Sequence, residues 1–224
     1  MKTILIAILF FFLINNTKAQ TTNATFYGFR LGLTAHPTFG FIKANNNGKG
    51  NGTNLGFAYG LMADFNFAPH YSLNTGLTVT TINGKSTEIN VSPYHDIVSS
   101  TYPIAYDLKY KMRYIEIPIV LKLKTDKINE LRWYGQFGLS NDFKIGAKQD
   151  AKSGSTVLAN DVDSSEWTRF YRAGIIIGGG AEYDIAEHTS LMAGISLNNG
   201  FTDITNGKNT VRNHFVSLNL GVFF

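Results

Sequence analysis

Val211-Arg-Asn-His-Phe-Val-Ser-Leu-Asn-Leu-Gly-Val-Phe-Phe224 repeats with a period of two residues. His214, Val216, Leu218, Leu220, Val222 and Phe224 fall on one face, while Asn213, Phe215, Ser217, Asn219 and Gly221 fall on the other, Arg212 aside. A strand with one apolar face that stops on an aromatic residue is what an outer-membrane β-barrel offers to barrel-insertion machinery. The stretch therefore predicts a fold and a compartment together, and says almost nothing about activity.

The same period runs upstream through seven more segments, at about 25–35, 55–67, 71–82, 108–124, 131–145, 170–185 and 189–199. In 55–67, Phe57, Tyr59, Leu61, Ala63, Phe65 and Phe67 oppose Gly56, Ala58, Gly60, Met62, Asp64 and Asn66. No segment has a convincing helical repeat. The connections alternate in length. Polar stretches that include 45–53, 83–102, 147–166 and 200–210 read as long loops, and 68–70, 125–130 and 186–188 read as short turns. Transmembrane barrels show this asymmetry, with short periplasmic turns and longer outer loops. The expected fold is all-β, an eight-stranded antiparallel up-and-down transmembrane β-barrel with both ends in the periplasm.

Residues 1–19 read as a secretory signal peptide: Lys2, then an apolar run over 4–14, then Thr17-Lys18-Ala19 as a cleavage site. The run is too short for a spanning helix of ~20 residues. The barrel domain then covers 20–224, with localisation in the outer membrane. Removing Lys2 and Lys18 leaves 18 basic against 16 acidic residues, a net +2, so no nucleic-acid partner is expected. The absence of cysteine excludes disulfides and thiolate chemistry.

An eight-stranded soluble lipocalin-like ligand-binding barrel also alternates, so the period alone does not decide. Three features favour the membrane. Glycines such as Gly28, Gly60, Gly76 and Gly178 cluster on the face opposite the large apolar side chains, where a narrow barrel is crowded. Arg30, Asp64, Glu116, Lys122, Arg172 and Glu182 share that face. Tyr27, Phe65, Phe67, Tyr71, Trp133, Tyr183 and Phe224 gather on the other face near the short turns, as a periplasmic aromatic girdle. Pro118 counts against regularity, because it removes a ladder hydrogen bond in mid-strand; a local bulge is the expected remedy.

Tyr114-Ile-Glu-Ile-Pro-Ile-Val-Leu-Lys122 resembles the Tyr-Leu-Glu-Ile-Pro-Leu-Leu-Leu-Lys signature of the PorT-like outer-membrane β-barrel family of Bacteroidota-type bacteria. Trp133-Tyr-Gly-Gln-Phe-Gly138, Ile177-Gly-Gly-Gly-Ala-Glu-Tyr183 and Gly28-Phe-Arg-Leu-Gly32 are similar to its other strands. The resemblance implies the fold and the location, and makes Pro118 a recurring family feature. Some family members take part in protein secretion.

Arg30, Glu116, Arg172 and Glu182 are expected to form an interior ion-pair network that plugs the barrel, with Glu116 paired to Arg30 or Arg172. Eight strands leave no aqueous channel. His36, His70, His95, His188 and His214 are scattered without metal-site spacing, so no metal or cofactor is expected. His95, Asp96, Ser92 and Ser99 share one polar loop and read as solvated. The rival is a lipid-modifying barrel enzyme, for which only His214 and Ser217 approach the need, and Ser217 faces inward. The expected role is non-enzymatic, structural or interactive. Its partners are outer-membrane lipid and envelope proteins met by the outer loops, among them a contact surface offered by Tyr94, Tyr102 and Tyr106. No further domain is expected after Phe224, so any function belongs to the barrel and its loops.

Overall fold

The computed structural model describes residues 28–44, 48–89, 104–206 and 210–224. Period-two patterning becomes nine strands: β1 (Phe29–Ala44), β2 (Gly48–Ala68), β3 (Tyr71–Ile89), β4 (Ala105–Lys124), β5 (Leu131–Ser153), β6 (Thr156–Asp163), β7 (Tyr171–Ala186), β8 (Thr189–Gly200) and β9 (Val211–Phe223). The segment 1–19, Tyr27, Ser92, Tyr94, His95, Asp96, Ser99 and Tyr102 lie outside the described residues.

Eight strands form a closed antiparallel ring, in the order β1, β2, β3, β4, β5, β7, β8, β9 and back to β1. The C-terminal strand closes it, with Leu33 opposite Val222 and Thr38 opposite Ser217. Closure leaves no sheet edge within the ring, as a barrel in lipid requires. β6 stands outside the ring and pairs only with the far end of β5.

At one end the turns are short, as the sequence reading has them: Pro69–His70, residues 125–130 and Glu187–His188. At the other end the loop reading needs correction. β1 and β2 extend to Ala44 and from Gly48, β3 runs on to Ile89, and residues 147–163 form a hairpin with Gly154 at φ +58 in its turn. The polar outward positions and small inward ones there, such as Ala147 and Ala151, dilute the apolar alternation that marks a strand. Tyr106 also needs correction. It is buried among the core side chains rather than part of a contact surface. His36, just past the first segment read as a strand, sits within β1 and bonds Thr34 at 3.0 Å.

The two faces exchange character along the strands. On β4 the outward side chains are Ile115, Ile117, Ile119, Leu121 and Leu123, then Arg113, Lys111, Lys109 and Asp107 beyond them. Facing inward beside that charged stretch are Tyr106, Leu108, Tyr110, Met112 and Tyr114, all buried. They pack with Ile42, Ile82, Val211 and Phe215 into one apolar cluster. A β-structure of the kind found in water, apolar inside and polar outside, thus continues a barrel of the kind found in lipid. Burial from water at ~25 cal/mol/Å² stabilises only the former; the latter depends on having no unpaired backbone in hydrocarbon.

Pro118 breaks the β3–β4 ladder without a bulge. Pairing stops at Thr75–Ile119 and resumes at Thr78–Glu116 with the register unchanged. The missing donor falls on the β3 side, beside a small interior cavity. The β4–β5 bulge lies elsewhere, between Arg113 and Tyr114.

Candidate functional site

Alternation turns the inward face of the ring into a polar lumen, and the ladder register decides which charges meet there. Arg30 stands directly opposite Asp64, and Arg172 directly opposite Asp142. Each pairing seeds one of two separate clusters, so the expected joining of Glu116 to Arg30 does not occur.

The cluster nearer the short turns holds three cations and two carboxylates. Arg30 Nη2 lies 2.9 Å from Asp64 Oδ2 and 2.8 Å from Glu182 Oε2. Lys122 Nζ lies 3.1 Å from both Asp64 and Glu182, and Lys124 Nζ lies 3.0 Å from Asp64. Asn74 donates to the other Asp64 oxygen at 2.6 Å. Lys122 and Asp64 are wholly inaccessible to solvent, 0% each. The Phe223 ring lies 4.4 Å from Arg30 and 4.9 Å from Lys122, adding cation–π contact. Asp64 and Lys122 share the predicted inner face but are absent from the expected network. Their register could have added Asp64; Lys122 and Lys124 join through side-chain length.

The cluster nearer the hairpins centres on Arg172, which is buried. Its guanidinium pairs with Asp142, and donates to Asn198 Oδ1 and the Asn213 carbonyl, each at 3.0 Å. Glu116 is not in an ion pair. Thr80 donates to it at 2.9 Å and Asn198 at 3.4 Å. Asp142 takes the guanidinium because it sits on the adjacent strand, with Glu116 one strand further round. Glycine makes room for this head group. A Cβ on Gly174 would stand 2.3 Å from Asn198 Oδ1 and 2.9 Å from Ser140 Oγ, and one on Gly200 would stand 2.7 Å from Arg172 Nη2.

Between the clusters lies a cavity of about 90 Å³, lined by His36, Thr78, Glu116, Pro118, Gln136 and Asn219 among others. It is large enough for a few waters and small beside a pore. No group of His, Cys, Asp or Glu among the described residues has the arrangement of a metal site.

Outside, Phe65, Phe67, Tyr71, Trp133, Tyr183 and Phe224 are exposed at strand ends that flank the short turns. A second aromatic set, not anticipated from the sequence, includes Phe57, Tyr59, Phe143, Phe170, Tyr171 and Phe201 on the hairpin side. All but Phe201 lie within segments already read as strands, so the signal was present in the alternation; what was missing was the level that register gives them across neighbouring strands. His214 faces outward and stacks on Phe41 with centroids 5.3 Å apart, while Ser217 is buried in the lumen. Strand alternation therefore holds the two on opposite sides of β9.

A closed ring of eight strands, apolar without, charged within and bounded by aromatic belts, defines a small outer-membrane β-barrel. Residues 15–206 match the family model described as the outer membrane protein beta-barrel domain, and the chain belongs to that family. No curated protein matches the sequence. Among solved structures it is similar to Neisserial surface protein A, at 13% identity over 88% of this chain and 97% of that one, with a TM-score of 0.44. OprG of Pseudomonas aeruginosa shares 10% identity over 87% and 94%, TM-score 0.42. Ail of Yersinia pestis shares 11% over 87% and 98%, TM-score 0.38.

Proposed function

We propose that this protein is a sealed, non-enzymatic barrel that mounts a stiff β-extension on the outer membrane, in a structural or interaction role. The observation that carries this reading is the pair of buried charge clusters across the lumen, with only about 90 Å³ of space between them. A path for solute would have to break several buried ion pairs, each strongly unfavourable to leave half-made. Cleavage after Ala19, short turns in the periplasm and the hairpins facing outward complete the reading. The PorT-like resemblance of 114–122 favours membership of a secretion or envelope assembly, reached through the hairpin end.

The test is conductance of the purified protein in planar bilayers. Wild type should give no steady channel, whereas Asp64→Asn with Glu182→Gln should admit leak currents if the cluster is the seal. Steady wild-type conductance would sink the reading. The chain has no cysteine, so a single cysteine placed at Gly154 reports orientation by labelling intact cells with an impermeant maleimide.

A further inference from the structure

Beyond the apolar belt, the outward face of β3, β4 and β5 carries Lys85, Lys109, Lys111, Arg113, Lys148 and Lys152 against Asp107 and Asp150, with Asp161 added by β6. The acidic groups are already engaged. Asp150 and Asp161 both accept from Lys111, at 2.8 and 3.0 Å, and Asp161 also pairs with Lys148. Asp107 accepts from Thr87 at 2.6 Å. Lys85, Lys109 and Arg113 make no ion pair with a described residue.

Their placement is unfavourable for the protein alone. Lys85 and Lys109 are direct cross-strand partners, and like charges in that position repel; Asp150 faces Lys109 from the other side but gives its hydrogen bond to Lys111. The ring repeats the pattern at Lys43 and Arg212, opposite each other on β1 and β9, with Arg212 only 3.7 Å from Asp203 as relief. Arg113 is the first outward residue after Ile115 and so lies where hydrocarbon gives way to head groups. A groove of about 390 Å³ on the same face is lined by Lys85, Lys109 and Lys152 together with Asp107 and Asp150, the two carboxylates already engaged by Thr87 and Lys111; Arg113 stands below it, toward the apolar belt. An anion held at that level would turn repulsion into bridging. The surrounding lipid supplies such anions at the required height, and a dissolved ion does not concentrate there.

The geometry points to a lipid-binding site: Lys85, Lys109 and Arg113 hold the phosphate of an anionic lipid head group in the leaflet at the hairpin end. This goes beyond the sealed-barrel reading and does not depend on it, since a conducting barrel would carry the same face.

Native mass spectrometry of the whole protein, released from micelles containing equal phosphatidic acid and phosphatidylcholine, tests the site. A basic side chain at an anionic surface contributes about fivefold, so three of them together predict a preference for phosphatidic acid on the order of 100-fold. The Lys85→Gln/Lys109→Gln/Arg113→Gln variant should retain the two lipids equally. Heat-modifiable gel migration checks that this variant is folded; if it is not, each single Gln variant should lower the preference several-fold. Ten-millimolar-scale inorganic phosphate (about 10 mM) should leave the wild-type preference in place. Equal retention by wild type, an undiminished preference in the folded variants, or full displacement by phosphate would each overturn the proposal.

Discussion

Glu116 and Asp142 face each other across the β4–β5 ladder, two carboxylates in one narrow lumen, and the same guanidinium answers both. Arg172 pairs with Asp142 directly and reaches Glu116 only through Asn198.

Removing that guanidinium leaves Asp142 buried without a counter-charge. Arg172→Gln should destabilise the barrel by ~3–5 kcal/mol, read as a lower urea midpoint for unfolding from lipid vesicles. A change within ~0.5 kcal/mol would mean that water, not Arg172, solvates Asp142.

Glu116→Gln should act in the opposite sense. The amide can keep both neighbours, its oxygen accepting from Asn198 and its N–H donating to the Thr80 hydroxyl, while the repulsion from Asp142 disappears. The expected urea midpoint is equal to or above that of wild type. A drop comparable to that of Arg172→Gln would instead make Glu116 a true ion-pair partner.

Asp64 carries more of the cluster nearer the short turns than Glu182: both pair with Arg30 and Lys122, but Lys124 lies 3.0 Å from Asp64 against 3.9 Å from Glu182, and Asn74 donates to Asp64 as well. Asp64→Asn should cost several kcal/mol, on the order of the buried-pair value. Lys124→Met should cost markedly less, because Lys122 and Arg30 remain. Equal losses in the two variants would contradict this ranking.

Gly174→Ala should push Asn198 and Arg172 apart, with an overpacking loss of ~1–3 kcal/mol. Combined with Arg172→Gln, the loss should be smaller than the sum of the two, since the crowded head group is then gone. Strict additivity would place the strain elsewhere.

The β5–β6 hairpin has a pH window. Burial acts to raise the Asp150 carboxyl, but hydrogen bonds from Lys111 and the Asp161 backbone, with the charges of Lys111 and Lys109, hold it below 3.8. Hydrogen bonds from Lys148 and Lys111 do the same for Asp161. A depressed carboxylate stabilises above its unfolded pKa and loses that contribution as pH falls through the folded value. The hydrogen bond from Lys111 to Asp150 outweighs desolvation and raises the lysine above 10.5, so its share is lost only as pH rises past that raised value. Amide exchange in β6, corrected for intrinsic rates, should therefore stay flat between pH 5 and 8 (roughly the working range). It should accelerate below about pH 4. Acceleration already near pH 6 would implicate another group.

The ring was legible because hydrocarbon imposes one rule on every strand, so 55–67 and 131–145 announce themselves without help from neighbours. The ion pairing was less so. Inward direction follows from parity, and Arg30, Glu116, Arg172 and Glu182 all lie on the inward face of their strands. Partnership follows from register across strands, which the short turns determine: β4 and β5 stay in one register from Lys124–Tyr134 through Glu116–Asp142, and the bulge at Arg113–Tyr114 comes only beyond both clusters. The extension was hidden for another reason. Where water surrounds the strands, Lys109, Lys111 and Lys148 suit the outer face, and a segment such as 147–163 carries the composition of a loop. Tyr106, Leu108, Tyr110 and Met112 held the clue, a period-two apolar run of opposite parity to Ile115–Leu123.

That change of parity works as a depth gauge. Sliding the barrel by one pleat toward the hairpin end would lift Ile115 into water; sliding it the other way would draw Arg113 into hydrocarbon. Both are resisted, so a thicker or thinner membrane must adapt around the protein rather than carry it up or down. Whatever docks on the hairpins consequently meets them at a constant elevation above the lipid.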